Sequence, residues 1–142
     1  MLNVCEGNTL QIVLDTNVLI SGTFWTGSSY EILKLIHYGK LKLVVSLPIL
    51  AEYDRVLHSS EILDKQAYQY ERVLAIQKVI QTALLVKPTE HVDLIKEDVN
   101  DNKFIEAALE GADYIVSRDY HLLKLKQYKN IKIVSPEEFL TL

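Results

Sequence analysis

The first strong pattern along the chain is Leu10-Gln11-Ile12-Val13-Leu14, an apolar run of strand length that stops at the turn-forming Asp15-Thr16-Asn17. Residues 21–27 read as a loop. Ser28 precedes Glu31 by three residues, the spacing of a capping box. It opens a helix carrying Ile32, Leu33, Leu35 and Ile36, with Gly39 just past its end. A second apolar strand covers 41–45. Pro48 suits a first helical position, and the helix it begins places Ile49, Leu50, Tyr53, Val56 and Leu57 on one face. A longer helix, about 65–85, repeats Tyr70, Val73, Leu74, Ile80, Ala83 and Leu84 near the helical period.

Pro88 follows it, and 93–100 is polar and loop-like. Asp101 opens another helix through Phe104, Ile105, Ala108 and Leu109, closed by Gly111. Residues 114–116 and 131–134 are two further strands, and 136–140 a closing helical turn. Short apolar strands alternating with helices imply a parallel sheet covered on both sides. The expected fold is α/β: a three-layer α/β/α sandwich with a central, mainly parallel sheet. The 142 residues suit a single domain, 1–142, with 1–9 as a short tail.

Composition narrows the class. At 49% hydrophobic and 24% charged, with 5 Gly and 3 Pro, the chain is neither disordered nor fibrous. The lone Cys5 excludes an internal disulfide framework and a multi-cysteine zinc site. No stretch is apolar for long enough to span a membrane, and residues 1–8 lack the pattern of a signal peptide. A reducing, cytoplasmic location is expected. The net charge of −4 means that any meeting with nucleic acid needs a local basic patch or metal ions.

The position of the acids is more informative than their number. Sites in open parallel sheets form outside the carboxyl ends of the strands. Asp15 directly follows the first strand, and Asp119 follows the third after Ser117 and Arg118. Glu52 lies within about 8 Å of the end of the second strand at the helical rise. Asp101 starts the helix that feeds the third. Each has a plain structural alternative: a turn residue for Asp15, a solvated helix edge for Glu52, helix or turn caps for Asp101 and Asp119. On a helical wheel, Asp101 shares the apolar stripe, within about 80° of Phe104, Ile105, Ala108 and Leu109. Glu52 falls at the rim of its helix's apolar arc, with Asp54 and Arg55 on the far side. Four acids meeting at one rim, with Arg118 the only base at the strand ends, repel one another. A hard divalent cation with oxygen ligands, Mg²⁺ or Mn²⁺, resolves that repulsion.

Several segments together resemble the PIN-domain family, in particular the prokaryotic group assigned as toxin components of toxin–antitoxin pairs. They are Ile12 to Ser21 (IVLDTNVLIS), Leu50-Ala51-Glu52-Tyr53, Asp98 to Ala108 (DVNDNKFIEAA), Gly111 to Asp119 (GADYIVSRD) and Ser135 to Leu140 (SPEEFL). The resemblance implies a Mg²⁺- or Mn²⁺-dependent endoribonuclease that hydrolyses RNA with a metal-activated water. The family's acidic cluster falls on Asp15, Glu52, Asp101 and Asp119, and an additional acid on Asp98; the resemblance implies Asp15 as a direct metal ligand together with Asp101 or Asp119, and Glu52 as a further ligand or the residue that orients water. Thr16 or Asn17, together with Ser117, match the residues that orient the acids. Val99 and Asn100 stand where relatives often carry Pro and Asp, so one nearby negative charge is missing. The partners implied are an RNA substrate, a small cognate antitoxin and a second copy of the chain.

For RNA contact the candidates are Arg118, Lys124, Lys126 and Lys129, with Lys132, in a stretch that contains one acid, Asp119, and the aromatics Tyr120 and Tyr128. The alternative for these lysines is a solvated loop and strand edge. Trp25 is either a base-stacking residue or a loop anchor. Two other functions stay open: a receiver-type signalling domain, and a PIN module that binds RNA or protein without cutting. The first wants paired acids after the first strand and a lysine after the last. Asp15 has no acidic neighbour, and Pro136 follows the last strand. If Asp15 serves only a cation, Asp15→Asn should leave the metal-free protein as stable as the parent, or slightly more stable.

Overall fold

A computed structural model of the chain describes residues 9–66 and 69–142. The tail expectation, Cys5 included, lies outside the described residues, as do positions 67 and 68 of the expected long helix. The elements run β1 (Leu10–Leu14), α1 (Thr16–Phe24), α2 (Ser28–His37), β2 (Leu41–Val45), α3 (Leu47–Leu57), α4 (Ser60–Gln66), α5 (Tyr70–Gln81) and β3 (Leu84–Leu85). A 3₁₀ turn (Val99–Asp101) leads into α6 (Asn102–Ala108). Then come β4 (Tyr114–Val116), α7 (Tyr120–Leu123), β5 (Gln127–Tyr128), β6 (Ile131–Val134) and α8 (Pro136–Leu140).

The six strands form one sheet in the order β3-β2-β1-β4-β6-β5, parallel except for the β5–β6 edge hairpin. Three consecutive residues of β1, Ile12, Val13 and Leu14, are fully buried. Neighbouring strand residues point to opposite faces, so both faces of the sheet are covered. Helix α6 packs on β1, β2 and β4, and α2 packs on β2, with α1, α5 and α8 gathered around α2. This is the α/β/α sandwich expected from the sequence. The register carries the functional consequence: Leu14 lies beside Val116, so the next residues, Asp15 and Ser117, leave the sheet side by side. Beneath them the fully buried Tyr53 of α3 donates its hydroxyl to the Leu14 carbonyl at 2.6 Å, fastening the end of β1.

Three local expectations are corrected, and one strand is added. Residues 21–24 belong to α1 and do not form a loop. Gly22 is there for close packing: a Cβ at this position would sit 2.6 Å from Leu33 Cδ1 and 2.8 Å from the Ser29 carbonyl oxygen. The expected capping box at the start of α2 is absent. Gly27, with φ 127°, occupies the cap, and Ser28 hydrogen-bonds Glu137 instead. A true capping box joins Ser135 and Glu138 at α8. The helix expected over 65–85 is α4 and α5, and Leu84–Leu85 leave it as an edge strand paired to Val44 and Val45. Apolar residues on such a short run fit either period, and pairing with β2 decided the outcome. Finally, β5 is an added edge strand, flanked by Lys126 and Lys129, both with left-handed backbone (φ 61° and 51°).

The packing of α1 on α2 yields a counter-intuitive prediction. Gly22→Ala raises intrinsic helix propensity yet should lower stability by about 1–3 kcal/mol, because backbone as well as a side chain must move aside. Urea unfolding of the two proteins checks it; a mutant at least as stable as the parent would contradict the close approach.

Candidate active site

The carboxyl ends of β1, β2 and β4 open into a cleft of about 300 Å³. Five acids line it, Asp15, Glu52, Asp98, Asp101 and Asp119, together with Thr16, Asn17 and Arg55. All the acids singled out in the sequence therefore come together, but they are held in three different ways.

Asp15 is 4% exposed and caps α1. Its Oδ1 accepts the Val18 N–H at 2.8 Å; its Oδ2 accepts the Ser117 hydroxyl and, at 3.2 Å, the Arg118 N–H. Burial pushes its pKa above the ordinary value, and these three donors limit the rise. The bonding revises the expectation for Asp15→Asn. An amide NH₂ in place of Oδ2 cannot accept from Arg118 N, so Asp15 carries structural weight besides its charge. Ser117 also receives the Asp119 N–H at 2.9 Å, so one hydroxyl positions two acids.

Glu52 is neutralised by the protein itself. Partial burial alone would raise its pKa, but the Lys103 ammonium and the Thr16 hydroxyl outweigh this and hold it below the ordinary range. Lys103 Nζ lies 2.5 Å from Oε1 and is itself only 14% exposed. Thr16 donates to Oε2. Arg55 stands 3.6 Å from Oε1. Neither cation was foreseen. Lys103 sits in a helix that reads as core-forming, and the wheel placed Arg55 on the far side of α3. A long side chain reaching back one turn, at i+3, is invisible to a construction based on Cβ direction.

Asp98, Asp101 and Asp119 make the third arrangement. Each offers one oxygen, and the three oxygens lie within 4.8 Å of one another. Asp101 is buried, and its Oδ2 meets no hydrogen-bond donor. Burial, then the neighbouring Asp119 carboxyl, push Asp101 up to about 8. Burial works against ionisation at Asp119 too. The proton shared from Asp101 and the His121 N–H at 2.9 Å prevail, and Asp119 stays below the ordinary value. Without metal the pair is thus one carboxylic acid and one carboxylate.

The loop that delivers Asp98 and Asp101 is stitched by Asn102, a residue the sequence did not mark. Its Oδ1 accepts the N–H groups of Leu94 (3.1 Å) and Ile95 (2.9 Å), and its Nδ2 donates to the carbonyls of Ile95 and Val99. Asn17 lines the cleft and is exposed.

The candidate RNA-binding residues are exposed and mostly engaged. Arg118 forms a two-pronged pair with Glu137 at 2.7 Å, Lys124 pairs with Glu97 at 2.5 Å, and Lys129 with Glu90 at 3.4 Å. Tyr120 projects beside Asp119, with Lys124 5.9 Å from its ring centre. Trp25 ends α1, about half exposed. Among the described residues no helix is long and apolar enough to cross a membrane.

A parallel sheet with an acidic cleft at its carboxyl edge defines a class of fold and site, and the sequence comparison makes it specific. The sequence profile of the PIN domain matches residues 11–121, and the chain belongs to the PIN domain family. PIN domains are generally nucleases and typically use divalent metals; the three clustered carboxylates fit that chemistry. The chain is 28% identical to the uncharacterised protein MJ1680 of Methanocaldococcus jannaschii, over 92% of this chain and 90% of that one. Its fold resembles the crystal structure of PAE2754 from Pyrobaculum aerophilum, with a TM-score of 0.58 and 15% identity over 94% of this chain and 96% of the other.

The carboxyl pair makes stability depend on pH. Asp101 holds its proton in the folded protein up to about pH 8, whereas an unfolded Asp releases it near 4. Between those values the folded state binds more protons, so stability falls as pH rises. The lowered groups, Asp119 and Glu52, act at the acid end of that range and have little effect above about pH 5. Metal-free protein should therefore lose several degrees of melting temperature between about pH 5 and 8. Asp15, also raised by burial, acts in the same direction, so Asp101→Asn should make the profile shallower without levelling it; an unchanged slope would contradict the shared proton.

Proposed function

We propose that this PIN domain is a divalent-metal-dependent endoribonuclease hydrolysing RNA phosphodiester bonds. One observation carries the proposal: the buried Asp101 oxygen without a donor, set beside Asp98 and Asp119. A buried acceptor left unsatisfied is costly, and three all-oxygen ligands at this spacing suit Mg²⁺ or Mn²⁺.

Asp98, Asp101 and Asp119 would hold the ion. Once bound, it supplies a lowered water pKa and stabilises charge on the phosphate oxygens. The chain's own residues do the rest. Asp15, fixed by Ser117 and two backbone N–H groups, adds negative charge at a set position on the floor of the cleft. Glu52, kept ionised by Lys103 and Thr16, orients a water. RNA reaches the cleft over Arg118, Lys124, Lys126 and Lys129, where exposed ion pairs exchange for phosphate contacts. Exposed lysine pairs of this kind add little to stability, so their exchange costs little, whereas Arg118 must first leave its two-pronged pair with Glu137.

On the resemblance to toxin components, the proposal extends to the toxin of a toxin–antitoxin pair in the cytoplasm, held by a small antitoxin and assembled as a homodimer. Growth arrest on expression, relieved by the product of the adjacent gene, tests that extension.

For the site itself the expected outcome is twofold. Mn²⁺ at a hundred times its Kd should stabilise the protein by about 2.7 kcal/mol, several degrees in a melting scan. Asp119→Asn should abolish that gain and lower RNA cleavage at least about 100-fold while the protein stays folded. A metal-indifferent melting curve, or an active Asp119→Asn protein, would overturn the assignment.

A further inference from the structure

Glu52 has two cations beside it, and the second is not needed to balance its charge. Glu52 is balanced on Oε1 by Lys103 at 2.5 Å and on Oε2 by the Thr16 hydroxyl. Lys103 is nearly buried and belongs to that pair. Arg55 approaches the same Oε1 only to 3.6 Å, an ion pair beyond hydrogen-bonding length. Its side chain is 73% exposed, yet it lines the acidic cleft. Arg118 differs: before it can meet a phosphate it must leave a two-pronged pair with Glu137 at 2.7 Å.

We infer that Arg55 is a substrate-binding residue of the cleft, gripping a phosphate of single-stranded RNA with two guanidinium N–H groups. The inference rests on the nuclease reading and adds the group that recognises the polyanion. Five acids line this cleft, and Lys103 balances only Glu52, so the cleft as a whole repels a phosphodiester. A cation at the mouth offsets that repulsion. Arginine suits the task because its planar fork matches two phosphate oxygens and never loses its charge. The position on α3 is fixed from below: Tyr53, two residues earlier, is anchored to the end of β1. Moving toward a phosphate gives up only the long contact to Glu52, which Lys103 keeps neutralised. Arg55 is therefore separable from the acids: it should govern capture of RNA, and the acids its hydrolysis.

The test compares the parent with Arg55→Gln and Arg55→Lys, all with saturating Mn²⁺. A short, unstructured, labelled RNA oligonucleotide is followed by initial anisotropy across a salt series, and cleavage is followed in the same samples. Arg55→Gln should raise Kd and KM about tenfold and leave kcat within about threefold. Its plot of log affinity against log salt should lose about 0.7 in slope, the amount expected for one phosphate contact on a single strand. Arg55→Lys should regain the slope but only part of the affinity. Melting temperature and the Mn²⁺ midpoint should match the parent.

Parent-like KM and salt slope in Arg55→Gln, with cleavage intact, would overturn the role of Arg55 and leave the nuclease standing. A fall in kcat at constant KM would overturn it as well, placing Arg55 behind Glu52 and away from the substrate. If the parent binds RNA without cutting it and Arg55→Gln loses the slope, Arg55 holds RNA and the nuclease reading fails. A parent that neither binds nor cuts would end both.

Discussion

Two carboxyl groups that cannot both be ionised at neutral pH set the terms for this protein. Asp101 and Asp119 sit close enough to share a proton, and one oxygen of Asp101 is buried without a donor. Such a pair weakens a fold unless something compensates it. Much of the surrounding framework brings the two together. The β1–β4 register sets Ser117 beside Asp15, and the Ser117 hydroxyl then receives the Asp119 N–H. Asn102 ties the loop before α6 through four hydrogen bonds and so delivers Asp98 and Asp101. Rigid elements force the acids close, which is how a functional site is held at a cost to stability.

The cleft resolves its crowding of charge in two ways. At Glu52 the answer is built in, since Lys103 and Thr16 occupy both oxygens. At Asp98, Asp101 and Asp119 no lysine or arginine takes that place among the contacts described, and a proton fills the gap. This contrast separates acids whose charge no side-chain cation offsets from an acid that the protein balances itself. It also gives the five acids different roles, although a sequence shows them as equivalent.

The fold and the acidic edge were legible because they depend on short-range rules. Apolar runs of strand length followed directly by Asp15 or by Ser117-Arg118-Asp119 announce strands whose carboxyl ends carry acids. The helical wheel placed Asp101 on a buried face, where the structure has it. What stayed hidden depends on tertiary neighbours. Gly22 looks like a helix breaker until Leu33 and Ser29 are seen against it. Ser28 and Glu31 satisfy a local rule for capping, yet Ser28 serves Glu137, far along the chain. Leu84 and Leu85 continue a helical period but are claimed by β2. Lys103 meets Glu52 across 51 residues, and nothing in the local pattern of either points to the other.

The most direct measurement is the proton balance of metal binding. A divalent ion that takes the place of the shared proton must expel it. Calorimetric titration of the protein with Mn²⁺ near pH 6.5, repeated in buffers of different ionisation enthalpy, counts the protons released. About one proton per ion is expected for the parent, and close to none for any binding that survives in Asp101→Asn. Tight Mn²⁺ binding without proton release, or no binding at millimolar Mn²⁺, would contradict the assignment of Asp98, Asp101 and Asp119 as the metal site.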